Sequence, residues 1–193
     1  MNAGDFDAIV MGASAGAVEA LMAILPELPA DFPLPVLVVI HVPPDRKNAL
    51  AALFADTCRV EVKEAEDKEE IRGGVVYFAP ANYHLLVETD RTLSLSVEEP
   101  VHYSRPAIDV LFETAADAFG ERLMGIVMTG ASKDGAAGLR AIGEAGGLTL
   151  VQDPGTAEVA VMPMAALGAW PAARPLSLNG IAALLTTLNL DTD

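Results

Sequence analysis

Short apolar runs alternate along the chain with segments whose apolar residues recur at helical spacing. The pattern predicts strands over 8–11, 35–40, 60–62, 74–79, 124–128 and 148–151, and helices over 15–28, 48–54, 106–119, 134–145, 162–167 and 178–188. Two further runs, 84–88 and 93–97, flank a turn and predict one antiparallel β-hairpin. We therefore expect an α/β fold in residues 1–193, a single domain, with a doubly wound, mainly parallel sheet and helices on both faces.

Composition narrows the class of protein. Hydrophobic residues make up 52% of the chain, and 27 acidic against 12 basic residues give a net charge of −15. This charge argues against nucleic-acid binding, which needs clustered Lys and Arg, and against docking on anionic membranes. The N-terminus has no signal-peptide pattern, and no apolar stretch reaches the roughly 20 residues that membrane insertion requires. We expect a cytoplasmic protein, and its one cysteine, Cys58, excludes an internal disulfide.

Polar residues follow three of the predicted strands. Ser14 lies in GASAG after the first strand, His41 follows PVLVVI, and Asp134 follows the strand 124–128 through the turn TGASK. Ligands of parallel sheets bind at the carboxyl ends of the strands, so the three side chains are predicted to share one edge. A serine, a histidine and an aspartate together can carry out nucleophilic acyl transfer.

Each of these residues also has a structural interpretation. Ser14 and Asp134 both precede predicted helices and could be their N-caps, and a single histidine after a strand is often structural. The order Ser, His, Asp differs from that of the α/β-hydrolases. A phosphate-binding turn is disfavoured, because GASAGA lacks the third glycine of a dinucleotide-binding motif and the Lys-Ser/Thr pair of a P-loop.

Six segments together resemble the catalytic domain of the chemotaxis protein-glutamate methylesterases, the CheB family. In chain order they are IVMGASAGAVEAL (9–21), IHVPPD (40–45), VVYFAPANYHLLVE (75–88), YSRPAIDVLFETAA (103–116), GIVMTGASKDGAAGL (125–139) and VQDPGTAEVAVMPMAAL (151–167). The resemblance covers nearly the whole chain and is more specific than any single motif.

This resemblance implies that Ser14, His41 and Asp134 form a catalytic triad. The implied reaction is hydrolysis of glutamate methyl esters on the cytoplasmic helices of chemoreceptors, with release of methanol and with no metal or cofactor; many relatives also deamidate glutamine. We expect backbone N–H groups near Ala15 or Ala131 to hold the oxyanion, with Arg105 close to the substrate.

The chain departs from the family pattern at four positions in two of these segments. Ala15 and Ala17 replace the Thr and second Gly of the usual GASTGG, and Ala131 with Ser132 replaces Met-Gly in the turn before Asp134. The alternatives are therefore a weak or inactive relative that only binds receptors, or a small-ester hydrolase unrelated to chemotaxis.

Two other histidines and the N-terminus complete the expectations. His84 is expected to be accessory or structural, and His102 is the alternative base if His41 is structural. The first strand begins near residue 7, so we expect no receiver domain in this chain and regulation, if any, by a separate protein.

Overall fold

The centre of the fold is a seven-stranded sheet in which every neighbouring pair is parallel. The computed structural model describes residues 3–41 and 49–188. The sheet strands are β1 (Ala8–Ala13), β2 (Val36–Ile40), β3 (Glu61–Glu64), β4 (Val75–Phe78), β7 (Leu123–Val127), β8 (Leu148–Gln152) and β9 (Arg174–Leu176), in the spatial order β3-β4-β2-β1-β7-β8-β9. A separate antiparallel hairpin pairs β5 (His84–Val87) with β6 (Leu93–Ser96).

Helices cover both faces of this sheet. They are α1 (Ala17–Met22), α2 (Ala49–Ala55), α3 (Ile108–Phe119), α4 (Ala136–Glu144), α5 (Val161–Ala169) and α6 (Leu178–Thr186). Alternate residues of β1 point to opposite faces: Ile9 and Met11 pack with buried residues of α1, α2 and α6, whereas Ala8 and Val10 pack with those of α3, α4, α5 and the hairpin. The predicted fold class, including the hairpin, is confirmed. Among the described residues, no helix is both long and apolar enough to span a bilayer.

Two elements differ from the pattern-based prediction. The helix expected over 15–28 ends at Met22, and a short 3₁₀ turn, Leu25–Glu27, follows it. Pro26 explains the break, because proline has no N–H to donate to the Met22 carbonyl and its ring would clash there. Strand β9 was not predicted, since it has only three residues and includes Pro175; such a strand is tolerated at the sheet edge, where it pairs with β8 alone.

The order in which strands are added to the sheet reverses at β1. The strands β2, β3 and β4 lie on one side of β1, and the later strands β7, β8 and β9 lie on the other side. The register pairs Ala13 with Ile40 and Gly12 with Val127. Residue 14, residue 41 and the turn after β7 therefore leave the sheet at adjacent points, where doubly wound sheets bind ligands.

Candidate active site

A histidine and an aspartate meet at this edge of the sheet. Nε2 of His41 lies 2.7 Å from Oδ2 of Asp134, and their side chains are 13% and 0% exposed. An ionised carboxylate only accepts hydrogen bonds, so Nε2 carries the proton in this pair. The unprotonated nitrogen of the neutral ring is then Nδ1, which is left to act as a base.

Asp134 also binds the first turn of a helix that it does not precede. Its Oδ2 accepts a hydrogen bond from the Ile108 N–H at 2.7 Å, and its Oδ1 accepts one from the Asp109 N–H at 2.9 Å. Burial by itself raises the pKa of Asp134, but the hydrogen bonds from His41 and from these backbone groups outweigh it, so the pKa lies below its ordinary value. The carboxylate is thus kept ionised and fixed in direction.

Neither Ser14 nor Asp134 is the N-cap of the helix that follows it. The cap of α1 is Gly16, at φ 78°, and that of α4 is Gly135, at φ 93°; neither cap uses a side-chain hydrogen bond. Glycine adopts this left-handed conformation without strain. The N-cap interpretation of Ser14 is therefore wrong, and the capping carboxylate of Asp134 serves α3, a different helix.

Ser14 lies on the turn that leaves β1. Its N–H donates to the Thr129 carbonyl, and its carbonyl accepts from the Ala17 N–H, both at 2.9 Å. Its Oγ makes no hydrogen bond within the part of the chain that the structure describes. No residue of that part of the chain therefore gives the hydroxyl a structural role.

Thr129 ties this turn to the segment before α5. Its hydroxyl donates to the Ala15 carbonyl at 2.8 Å and accepts from the Val159 N–H at 2.9 Å. The Thr129 N–H in turn donates to the buried Gln152 side chain at 2.8 Å. These bonds fix the backbone on both sides of Ser14.

Two backbone N–H groups beside Ser14 are free. Within the described residues, the amides of Ala15 and Ala131 donate no hydrogen bond, and neither lies in a helix or strand. Backbone N–H groups without an acceptor are available to bind an oxyanion. The Ala131 side chain is exposed, so this departure from the family pattern lies on the surface of the site.

A cavity of about 200 Å³ opens beside His41. It is lined by His41, Asn82, Pro100, Tyr103, Ser104, Arg105 and Pro106. The Arg105 guanidinium donates to Asn82 Oδ1 and to the carbonyls of Val97 and Glu98. Arg105 therefore lines the cavity, and four hydrogen bonds tie its guanidinium to Asn82 and to the backbone of residues 97 and 98.

The other two histidines have different surroundings. His84 is 2% exposed; its Nδ1 accepts from the Ala107 N–H and its Nε2 donates to the Glu99 carbonyl, which makes it a structural residue. Nε2 of His102 lies 3.2 Å from Oδ2 of Asp109. His102 thus belongs to a separate histidine–aspartate pair, and His41 is the histidine bonded to Asp134.

The carboxylates of Asp109 and Asp134 form, with His102, the one group of possible metal ligands found among the described residues. Donor atoms of His102, Asp109 and Asp134 lie within 4.8 Å of one another. Both oxygens of Asp134 accept backbone N–H groups, from Ile108 and Asp109, whereas Asp109 accepts those of Gly135 and Gly138 at Oδ1 and faces His102 with Oδ2. These bonds account for both carboxylates without a metal.

Pattern analysis missed Asp109, Thr129 and Gln152. Asp109 lies among apolar residues in the first turn of α3, so it was not selected as a site residue. A carboxylate on the buried face of a helix is itself an indication of a specific polar partner. Gln152 ends the buried strand β8 and Thr129 comes two residues after the buried strand β7, which is the same strand-end signal that selected Ser14 and His41.

Comparison with known proteins gives one consistent result. The model of the CheB methylesterase family matches residues 9–185. A Leptospira interrogans protein named as a protein-glutamate methylesterase/protein-glutamine glutaminase is 48% identical over 185 residues, 96% of both chains. A Symbiobacterium thermophilum protein of the same name is 38% identical over 92% of this chain, which spans 49% of that protein. The crystal structure of the Thermotoga maritima CheB methylesterase catalytic domain superposes with a TM-score of 0.90 at 32% identity, covering 94% of this chain and 97% of that one. The chain therefore belongs to the CheB methylesterase family, a family of serine hydrolases.

Proposed function

We propose that this protein hydrolyses γ-methyl esters of glutamate on the cytoplasmic helices of chemoreceptors, through a triad of Ser14, His41 and Asp134. The observation that carries the proposal is the hydrogen bond between His41 and the buried Asp134, at the sheet edge where Ser14 leaves strand β1. The names of the relatives support the substrate.

The first half of the reaction forms an acyl-enzyme. Ser14 Oγ attacks the ester carbonyl carbon while Nδ1 of His41 takes the hydroxyl proton, and Asp134 stabilises the imidazolium through Nε2. The N–H groups of Ala15 and Ala131 hold the tetrahedral oxyanion. The intermediate collapses by breaking the bond to methoxide, which takes the proton from His41 and leaves as methanol.

The second half releases glutamate. Water gives a proton to Nδ1 of His41 and attacks the acyl carbon, and the bond to Ser14 Oγ breaks as Oγ is reprotonated. A glutamine side chain can follow the same route with ammonia as the leaving group, which would account for the glutaminase part of the relatives' names. We place this activity in the cytoplasm, where a separate regulatory protein could act on it.

Methanol release from methylated receptor membranes tests this proposal. Wild type should release methanol, Ser14→Ala should release none above background, and Ser96→Ala, a matched change at a half-buried position of hairpin strand β6, should behave as wild type. Binding of receptor without methanol release by the wild type would instead identify a binding-only relative. Ser14-dependent hydrolysis of small esters alone would indicate an unrelated esterase.

A further inference from the structure

We propose that Asp109, with His102, is a positioning residue of the triad: it fixes the turn that carries Asp134 and adds a second negative charge behind the histidine–aspartate pair. This inference rests on the proposed triad. It concerns a buried carboxylate to which the mechanism above gives no part.

Asp109 and Asp134 each bind the start of the other's helix. The Asp109 N–H, in the first turn of α3, donates to Asp134 Oδ1 at 2.9 Å. Asp109 Oδ1 accepts from the Gly135 N–H at 2.9 Å and from the Gly138 N–H at 2.7 Å, at the start of α4. Gly135 directly follows Asp134 in the chain. Asp109 therefore fixes Asp134 in two ways: its carboxylate binds the backbone that follows Asp134, and its own N–H binds the Asp134 carboxylate.

A helix cap alone would not require this arrangement of charge. The Asp109 side chain is 6% exposed, and its ion-pair partner among the described residues is His102, which is 34% exposed. Burial and the neighbouring charge of Asp134 raise the pKa of Asp109, while the N–H groups of Gly138 and Gly135 and the charge of His102 lower it. Two ionised carboxylates close together repel each other, and a positive charge near both of them reduces this repulsion. In the proposed mechanism the imidazolium of His41 supplies such a charge during turnover.

Other charges near Asp109 are few and of known sign. On its own helix, Glu113 lies close enough to sense the charges of Asp109, Asp117 and Asp134. The first turn of α4 contains no acidic residue, and Arg140 further along is paired with Glu144. Lys133, which is exposed, directly precedes Asp134. Removing the Asp109 carboxylate therefore takes one negative charge away from the surroundings of the His41–Asp134 pair and leaves these other groups unchanged.

The experiment compares Asp109→Asn, His102→Gln and the control Asp117→Asn. The asparagine keeps an oxygen that can accept from Gly135 and Gly138 but removes the charge, whereas Asp117→Asn removes the same charge from an exposed position of the same helix. The measurements are kcat, KM and the pH profile of methyl-ester hydrolysis, together with thermal unfolding and the NMR titration of the His41 ring.

For Asp109→Asn we expect kcat to fall about tenfold with KM unchanged. The acid limb of kcat/KM and the His41 titration should both move to lower pH by roughly half a unit to one unit. His102→Gln should shift both in the opposite direction because it leaves Asp109 without its partner, and Asp117→Asn should change neither.

An Asp109→Asn enzyme with the kcat and His41 titration of the wild type, whatever its melting temperature, would show that Asp109 is only a helix cap. The proposed function fails separately: hydrolysis that survives Ser14→Ala would overturn the triad and, with it, this inference. Ser14-dependent hydrolysis with no effect of Asp109→Asn overturns the inference alone.

Discussion

Gly130 lies directly against Ser14. A Cβ atom at position 130 would be 3.0 Å from Ser14 Cβ, and 2.6 Å and 2.7 Å from Cε and Sδ of Met162. The backbone of Gly130 cannot move away easily, because its N–H donates to the Val159 carbonyl and its carbonyl accepts from the Met162 N–H. The absence of a side chain at this position therefore determines where the nucleophile can lie.

Gly130→Ala should lower turnover at least tenfold while the protein stays folded. The methionine end is flexible and can yield, but Ser14 must then shift by a few tenths of an ångström, and small misplacements in a triad are costly. Gly168→Ala is the control, since a Cβ there meets nothing within 4 Å and an alanine in helix α5 should stabilise by up to about 1 kcal/mol. Unchanged turnover in Gly130→Ala would show that this contact does not limit catalysis.

Alanine substitutions of Ser14, His41 and Asp134 should each reduce kcat by several orders of magnitude. Double substitutions should cost little more than single ones, because triad members act as a unit. Methanol release under single-turnover conditions provides the measurement. Losses that multiply independently would argue that the three residues act separately.

Ala131→Met restores the bulk that the family usually has at this turn. The side chain at 131 is exposed, so the melting temperature should stay within about 1–2 °C of the wild type. The backbone donor is retained while the shape of the substrate site changes, so the rate or the preference between methyl ester and glutamine should change. If both activities equal those of the wild type, the departure at this position has no catalytic effect.

The two buried carboxylates should have opposite effects on the pH dependence of stability. The pKa of Asp134 is lowered on folding, so its stabilisation is present above the unfolded pKa of about 3.9 and is lost as the pH falls through the folded value. The pKa of Asp109 is raised, so its ionisation costs stability as the pH rises from the unfolded value through the folded one.

Urea unfolding between pH 2.5 and 7 measures both effects. The stability deficit of Asp134→Asn relative to wild type should shrink as the pH falls below about 4. Asp109→Asn should instead gain stability relative to wild type as the pH rises. The same sign of pH dependence for both variants would contradict the assigned shifts.

Salt should raise the rate on receptor membranes and barely change hydrolysis of a small neutral ester. The net charge of −15 opposes encounter with receptor helices that become more acidic as esters are removed, and salt screens this repulsion over roughly 8–10 Å. Arg105 is the cation that lines the cavity beside His41, and its printed hydrogen bonds go to the neutral groups of Asn82, Val97 and Glu98, so one positive charge stands against the overall negative charge there. A steep fall of receptor turnover with salt would reveal a basic docking patch.

The sequence by itself determined the α/β class, most of the strands and the three residues at the strand ends. Apolar periodicity reports which faces are buried, and parallel strands must bring their carboxyl ends to one edge, so Ser14, His41 and Asp134 could be grouped without coordinates. The positions of these residues could be predicted because each directly follows, or lies one turn after, a strand, whereas their joint role as a triad stays a prediction.

Only the tertiary structure decided which partners those residues take. Asp134 binds the first turn of α3, and Asp109 binds the start of α4. These hydrogen bonds join residues that are 25 to 29 positions apart in the chain. Local propensity assigns a carboxylate at a helix start to the helix that follows it, and this was the error for Asp134. The packing of α3 against α4 brings two helix starts together, and the free N–H groups of each helix then take the carboxylate that is nearest in space rather than the one nearest in sequence.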